Sequence, residues 1–176
     1  RHGEERQLRV LVADDNEINQ LVACEMLRAA GYERTVVKNG VEAVAAIGKD
    51  QFDIVLMDCE MPELDGFGAT RLVRSREAER ANAGEVVRPL PIIALTAQAV
   101  QGDRERCLAA GMTDYVTKPV NRQELLRTIQ TCLEGSLQQP LLDDPACGDE
   151  AHGGIELSES DEPVLDVPAL EERCLG

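Results

Sequence analysis

The chain has no tryptophan, two phenylalanines and two tyrosines in 176 residues. Aromatic platforms for stacking bases or walling a flavin ring are therefore nearly excluded. Positive charge is scarce as well, with 18 Lys and Arg against 33 Asp and Glu for a formal charge of −15. Phosphate neutralisation supplies most nucleic-acid affinity, so no nucleic-acid partner is expected. Direct membrane contact by this segment is disfavoured for the same reason. No apolar run is long enough to span a bilayer and no signal sequence opens the chain, which points to the cytoplasm. The six cysteines, Cys24, Cys59, Cys107, Cys132, Cys147 and Cys174, include no C-x-x-C pair. Cysteines scattered through apolar helical patterns read as small core residues in a reducing compartment, not as metal or redox sites.

What is present is a regular alternation. After a polar leader (1–7), Arg9 to Ala13 reads as a buried strand ending at the acidic pair Asp14-Asp15. Asn16 and Glu17 open a helix to about Ala30, with Ile18, Leu21, Val22 and Ala29 recurring on one face and Gly31 as its stop. Arg34 to Val37 is a second strand, Asn39-Gly40 a turn, and Val41 to Ile47 a second helix. The third strand, Ile54 to Asp58, runs into Met61-Pro62 and Asp65-Gly66. A charged-faced helix from Phe67 to about Glu79 follows, then a strand from Pro91 to Thr96. A helix from about Val100 to Ala110 leads to a fifth strand, Asp114 to Thr117, then Lys118-Pro119 and a last helix, Arg122 to Leu133. Apolar strands between amphipathic helices predict an α/β fold with a parallel sheet covered on both faces.

Beyond this domain (8–133) the pattern dissolves. Residues 134–176 hold 12 Asp and Glu against one Arg, so most of the chain's charge sits there. Residues 134–163 read as a disordered acidic linker, because low hydrophobicity with like charge cannot offset ordering entropy. Pattern returns at 164–176, where Asp166 and Pro168 can open another helix. The abrupt start at Arg1 and end at Gly176 read as cut points in something longer.

In a parallel sheet the C-terminal strand ends share one edge, where open α/β folds bind ligands. The residues converging there are Asp14 and Asp15, Asp58, Thr96 and Lys118. Three packed carboxylates repel, and at neutral pH they need raised pKa values or a cation. Magnesium, which takes one or two carboxylates together with waters and a phosphate oxygen, is the natural choice, with Mn2+ the alternative. Lys118 adds a mobile point charge and Thr96 a hydroxyl. Phosphoryl transfer needs little beyond such positioning and neutralisation, with Asp58 as the carboxylate nucleophile.

The residues Val10 to Asn16, Ile54 to Asp58 with Met61-Pro62 and Asp65-Gly66, Ala94-Leu95-Thr96-Ala97 and Lys118-Pro119 resemble the receiver domains of two-component response regulators, over about residues 8–133. The resemblance implies a flavodoxin-like doubly wound sheet of order 2-1-3-4-5. It implies that Asp58 accepts phosphate from a phosphohistidine, and that Asp15, Asp58 and the Glu60 backbone carbonyl hold magnesium, with Asp14 acting through water. Thr96 and Tyr115 match the family's switch pair, and Lys118-Pro119 its cis peptide. Glu60 and Gln98, two residues after Asp58 and Thr96, would tune the lifetime of the phosphoryl group. The opening Asn16-Glu17-Ile18-Asn19-Gln20 is similar to that of receivers in hybrid sensor histidine kinases. Residues 164–176 resemble the start of a histidine-phosphotransfer domain.

The expected partners are therefore a kinase dimerisation domain bearing phosphohistidine, a histidine-phosphotransfer domain, and another domain of the same protein. The chain's own histidines, His2 and His152, lie in the leader and the linker, so neither is expected to be the donor. The parent would be a histidine kinase, with the receiver catalysing its own phosphotransfer and dephosphorylation. A flavin carrier on the same fold would find its phosphate repelled by Asp14-Asp15. An aspartyl phosphatase would want D-x-D-x-[TV], which Glu60-Met61-Pro62 does not supply. A docking module of the same fold that is never phosphorylated is the remaining alternative.

Overall fold

The computed structural model describes residues 6–97 and 101–138. Strands and helices alternate as β1 (Arg9–Ala13), α1 (Glu17–Ala29), β2 (Glu33–Val37), α2 (Gly40–Lys49), β3 (Ile54–Asp58), α3 (Gly66–Asn82), β4 (Ile92–Thr96), α4 (Gln101–Ala109), β5 (Asp114–Thr117) and α5 (Arg122–Gln138). All strand pairs are parallel, in the order β2-β1-β3-β4-β5, as expected.

The apolar strands divide their side chains between two cores. Leu11, Ala13, Val55, Met57, Ile92 and Ala94 pack with Ala43 and Val44 of α2, Ala69 and Val73 of α3, and Cys107 of α4. Their neighbours Val10, Val12, Ile54, Leu56, Ile93 and Leu95 pack on the other face with Ala23 and Leu27 of α1 and Leu125 and Ile129 of α5. Period-two alternation between two covered faces explains why the interiors of β1, β3 and β4 are continuously apolar. At the centre, β3 is buried at all five positions. A side chain emerging from its end is therefore held by a rigid element with neighbours on both sides.

Four details differ from the sequence expectation. The face of α1 bearing Ile18, Leu21, Val22 and Ala29 is not the packed one: Ile18 is 71% and Leu21 63% exposed. Ala23 and Leu27 carry the packing, because this helix holds two apolar stripes and periodicity alone does not rank them. Asn39-Gly40 is not a free turn but the start of α2, where Asn39 Oδ1 accepts the Glu42 N–H at 2.8 Å and Glu42 Oε2 accepts the Lys38 N–H at 2.9 Å, a reciprocal cap. The third helix reaches back to Gly66 and on to Asn82. Finally, α5 continues past Leu133 to Gln138, five residues into the stretch read as linker.

Gly31 ends α1 as expected. At φ 81° it lets Tyr32 N–H reach the Leu27 carbonyl and its own N–H reach that of Arg28, both at 3.0 Å, a Schellman closure. The thiols of Cys24, Cys59, Cys107 and Cys132 are free, the last three buried in the cores. Burial pushes the Cys132 thiol up to about 11. These four are packing residues; Cys147 and Cys174 lie outside the described residues, as do the rest of the expected linker and the segment 164–176.

Candidate functional site

The C-terminal strand ends open into a cleft of about 760 Å³ lined by Asp15, Asn16 and Asn19, by Asp58 and Glu60, and by Thr96 and Lys118, among others. Its floor is acidic. One ligand oxygen from each of Asp14, Asp15 and Asp58 can be chosen so that all lie within 4.8 Å of one another. Asp14 is fully buried and Asp58 is 5% exposed, whereas Asp15 faces solvent.

Lys118 reaches this floor from the end of β5. Its Nζ donates to Asp58 Oδ2 at 2.7 Å and lies 3.0 Å from Asp14 Oδ2. The other Asp58 oxygen accepts the Glu60 backbone N–H at 3.2 Å. Burial is the main cause pushing the Asp58 carboxyl above its ordinary range, and the nearby charge of Asp14 adds to it; the hydrogen bonds from Lys118 and Glu60 pull the other way. For Lys118, burial works to lower the pKa but is outweighed by the hydrogen bond to Asp58 and the close negative charge of Asp14, so the ammonium is held above its usual value. The lysine stays charged.

The loop after Asp58 is shaped by sterics. A Cβ at Gly66 would sit 2.1 Å from the Asp58 carbonyl oxygen, so only glycine lets α3 start this close to the end of β3. Asp65 caps α3 through the Gly68 N–H at 2.6 Å. Between them Glu63 takes φ 67°, and the Leu64 N–H closes on the Pro62 carbonyl at 2.8 Å. A residue with a side chain rarely adopts this tight turn, and such conformations concentrate at functional loops.

The site suits a divalent cation. With all groups ionised, three carboxylates and one ammonium leave a formal −2, and Asp14 Oδ2 is buried with no aligned hydrogen-bond donor, Lys118 lying at ion-pair distance only. An all-oxygen set that is partly exposed to water matches magnesium chemistry better than that of a softer metal.

Asp14, Asp15, Asp58, Thr96, Lys118 and Glu60 thus meet at one cleft. Tyr115 sits half-buried on β5 against the core beneath α3 and α4, not in the cleft lining. The Lys118–Pro119 peptide is cis, and Gln98 lies outside the described residues. Sequence reasoning did not single out Asn19, Phe67, Asp103 and Arg106 as site residues, yet they also line the cleft. Arg106 stacks its guanidinium 4.9 Å from the Phe67 ring centre. Its signal was hidden because only tertiary packing brings α4 to the start of α3.

Residues 10–130 match the family model described as response regulator receiver domain. The chain belongs to the receiver domain family. Its fold is accordingly the flavodoxin-like one of that family. This receiver domain is 39% identical over 135 residues to the sensor protein GacS of Pseudomonas syringae pv. syringae, with 77% of the chain and 14% of the relative covered. It is 38% identical over 123 residues to hybrid signal transduction histidine kinase B of Dictyostelium discoideum, covering 67% of the chain and 6% of that protein. The receiver therefore spans a small part of the curated relatives it matches.

Among solved structures, the receiver domain of the sensor histidine kinase PA1611 from Pseudomonas aeruginosa, which holds a magnesium ion in its active-site cleft, matches at 46% identity and TM-score 0.63 over 73% of this chain and 98% of that one. A Saccharomyces cerevisiae complex of the histidine phosphotransfer protein Ypd1 with the receiver domain of Ssk1 matches at 33% identity and TM-score 0.68, over 78% and 94%.

Proposed function

We propose that this receiver accepts a phosphoryl group on Asp58 from a phosphohistidine, with magnesium in the acidic cleft, as one station of a phosphorelay within a hybrid histidine kinase. The observation that carries this reading is the Lys118 ammonium placed 2.7 Å from Asp58 Oδ2 and 3.0 Å from Asp14 Oδ2 beside the carboxylate cluster. Asp15, Asp58 and the Glu60 carbonyl would hold the ion, with Asp14 behind them; bound there, it would neutralise charge on the nucleophile and the phosphoryl oxygens. Manganese would serve in the same role.

A carboxylate oxygen of Asp58 forms the new bond to phosphorus as the P–N bond breaks, and the departing imidazole keeps that electron pair. Lys118, released from half of its ion pair, is in place to hold a phosphoryl oxygen. Thr96, 6% exposed at the end of β4, offers its hydroxyl to another, and the packing of Tyr115 on β5 would follow that movement. Glu60 and Gln98 would set how fast water removes the group.

Asp58 lies on the floor of the cleft and is 5% exposed, so a donor histidine carried on a protein must stand proud of its docked surface to reach it. The exposed Ile18, Leu21 and Val22 of α1, on the helix whose Asn16 and Asn19 line the cleft, suit a helical partner: a histidine-phosphotransfer domain or a kinase dimerisation domain, in this protein or another. Among the described residues no helix is long and apolar enough to cross a membrane, and we place the domain in the cytoplasm. Residues 139–163 would link it to a phosphotransfer domain beginning near 164.

Intact-mass measurement after incubation with magnesium and acetyl phosphate should show one added phosphoryl group, and none when the metal is chelated before the donor is added. An unmodified protein that still binds a phosphotransfer domain would instead identify a docking module.

A further inference from the structure

The opening of α1, Asn16-Glu17-Ile18-Asn19-Gln20, has side chains that the transfer reaction does not use. Two of them, with one backbone N–H, close around Asp14. The Asn16 backbone N–H donates to Asp14 Oδ1 at 2.8 Å, and Asn19 Nδ2 donates to the same oxygen at 3.3 Å. Gln20 Nε2 donates to the Asp14 backbone carbonyl at 2.5 Å. The Asn16 side chain is occupied elsewhere, capping the helix through the N–H groups of Ile18 at 2.9 Å and Asn19 at 3.3 Å. Asn19 also faces the cleft.

The two oxygens of Asp14 are thereby made unequal. Oδ1 is fully engaged by donors from α1, while Oδ2 is left without an aligned donor, 3.0 Å from Lys118 Nζ. A free carboxylate can rotate about its terminal torsion over a broad range, and rotation here would present either oxygen, or neither, to a cation. Amide donors to one oxygen remove that freedom. Losing a group that orients a carboxylate beside a metal from behind typically costs about 10–100-fold in metal affinity.

We infer that Asn19 and Gln20 are positioning residues: together they bracket Asp14 by its side chain and its backbone, and so set the affinity of the cleft for its divalent ion. This rests on the metal reading above and adds to it two residues that touch neither metal nor phosphate. Asn19 acts on the carboxylate, Gln20 on the turn that carries it. The spacing from Asp14 explains the choice of residues: one turn of helix brings positions 19 and 20 back over the end of β1, and Asn and Gln are the side chains whose neutral N–H donors span the two distances without adding charge to an acidic site.

The test is the affinity of metal-free protein for Mn2+, read by electron paramagnetic resonance of the free ion, with unfolding midpoints measured alongside. Asn19→Ala should weaken Mn2+ binding about tenfold while leaving the metal-free unfolding midpoint near that of the parent, and Gln20→Leu should weaken it in the same direction. In an Asp14→Asn background the Asn19→Ala change should cost nothing further, since its effect passes through Asp14. Occupancy by beryllofluoride, followed by 19F NMR at limiting Mg2+, should fall in parallel. Unchanged Mn2+ affinity in Asn19→Ala, or an equal loss whether or not Asp14 is intact, overturns the bracket. Failure of the parent to bind Mn2+ overturns the metal reading itself, a separate outcome.

Discussion

Lys118→Met removes the charge at the centre of the site and keeps the unbranched stem. In the parent the ammonium lies 2.7 Å from Asp58 and 3.0 Å from Asp14, with side-chain exposures of 19% for the lysine, 1% for Asp14 and 7% for Asp58. At an effective dielectric near 20 each contact attracts by about 5–6 kcal/mol, much of it offset by desolvation. Without the lysine, Asp14 and Asp58 face each other within 4.8 Å and repel by roughly 3.5 kcal/mol or more on the same scale. Removing one partner of a buried ion pair costs about 3–5 kcal/mol, and that is the loss expected at pH 8 without metal, measured by urea unfolding. Asp58 already titrates above its ordinary range because of burial; losing Lys118 raises it further, so protonation relieves the repulsion and the deficit shrinks on acidification. Added Mg2+ should also restore part of the loss. Equal stability of the two proteins at pH 8 without metal, or a deficit that grows toward acid, refutes the electrostatic account.

Three further outcomes follow from the geometry. Gly66→Ala forces a Cβ to within 2.1 Å of the Asp58 carbonyl and should lower stability by about 3 kcal/mol in urea. Ile18→Ser with Leu21→Ser, at 71% and 63% exposure, should leave the unfolding midpoint almost unchanged while slowing transfer from a phosphorylated phosphotransfer domain about thirtyfold, two apolar contacts of roughly 1 kcal/mol each. Because Asp58 binds its proton more tightly folded than unfolded, the metal-free fold binds the extra proton above pH 3.8 up to its raised pKa, and stability is lost as pH rises through that window. Asp58→Asn should lack this component, so parallel pH profiles for the two proteins would contradict it.

The strands and their order were legible because both faces of the sheet are covered: Ile54 to Met57 have no polar position to disguise them, and alternation with helices fixes the direction of each crossover. The carboxylates, Thr96 and Lys118 were legible as site candidates because they stand at strand ends, which a parallel sheet gathers by topology. What escaped was decided by tertiary packing. The choice between the two stripes of α1 depends on which one β1 and α5 can accommodate, and Ala23 with Leu27 fits where Ile18 and Leu21 would not meet the core. The contribution of Arg106 depends on α4 lying across the start of α3, and the continuation of α5 beyond Leu133 rests on backbone bonding that a loss of apolar pattern does not reveal. Asn19 and Gln20 stood out as part of a phrase, but their work on Asp14 emerges only from distances.

The central claim is that Asp58 becomes phosphorylated, and locating the phosphoryl group tests it most directly. After incubation with Mg2+ and acetyl phosphate, borohydride reduction of the acyl phosphate and peptide mass spectrometry should convert Asp58, and no other residue, to homoserine. A modified residue elsewhere, or undiminished phosphoryl uptake by Asp58→Asn, would contradict it.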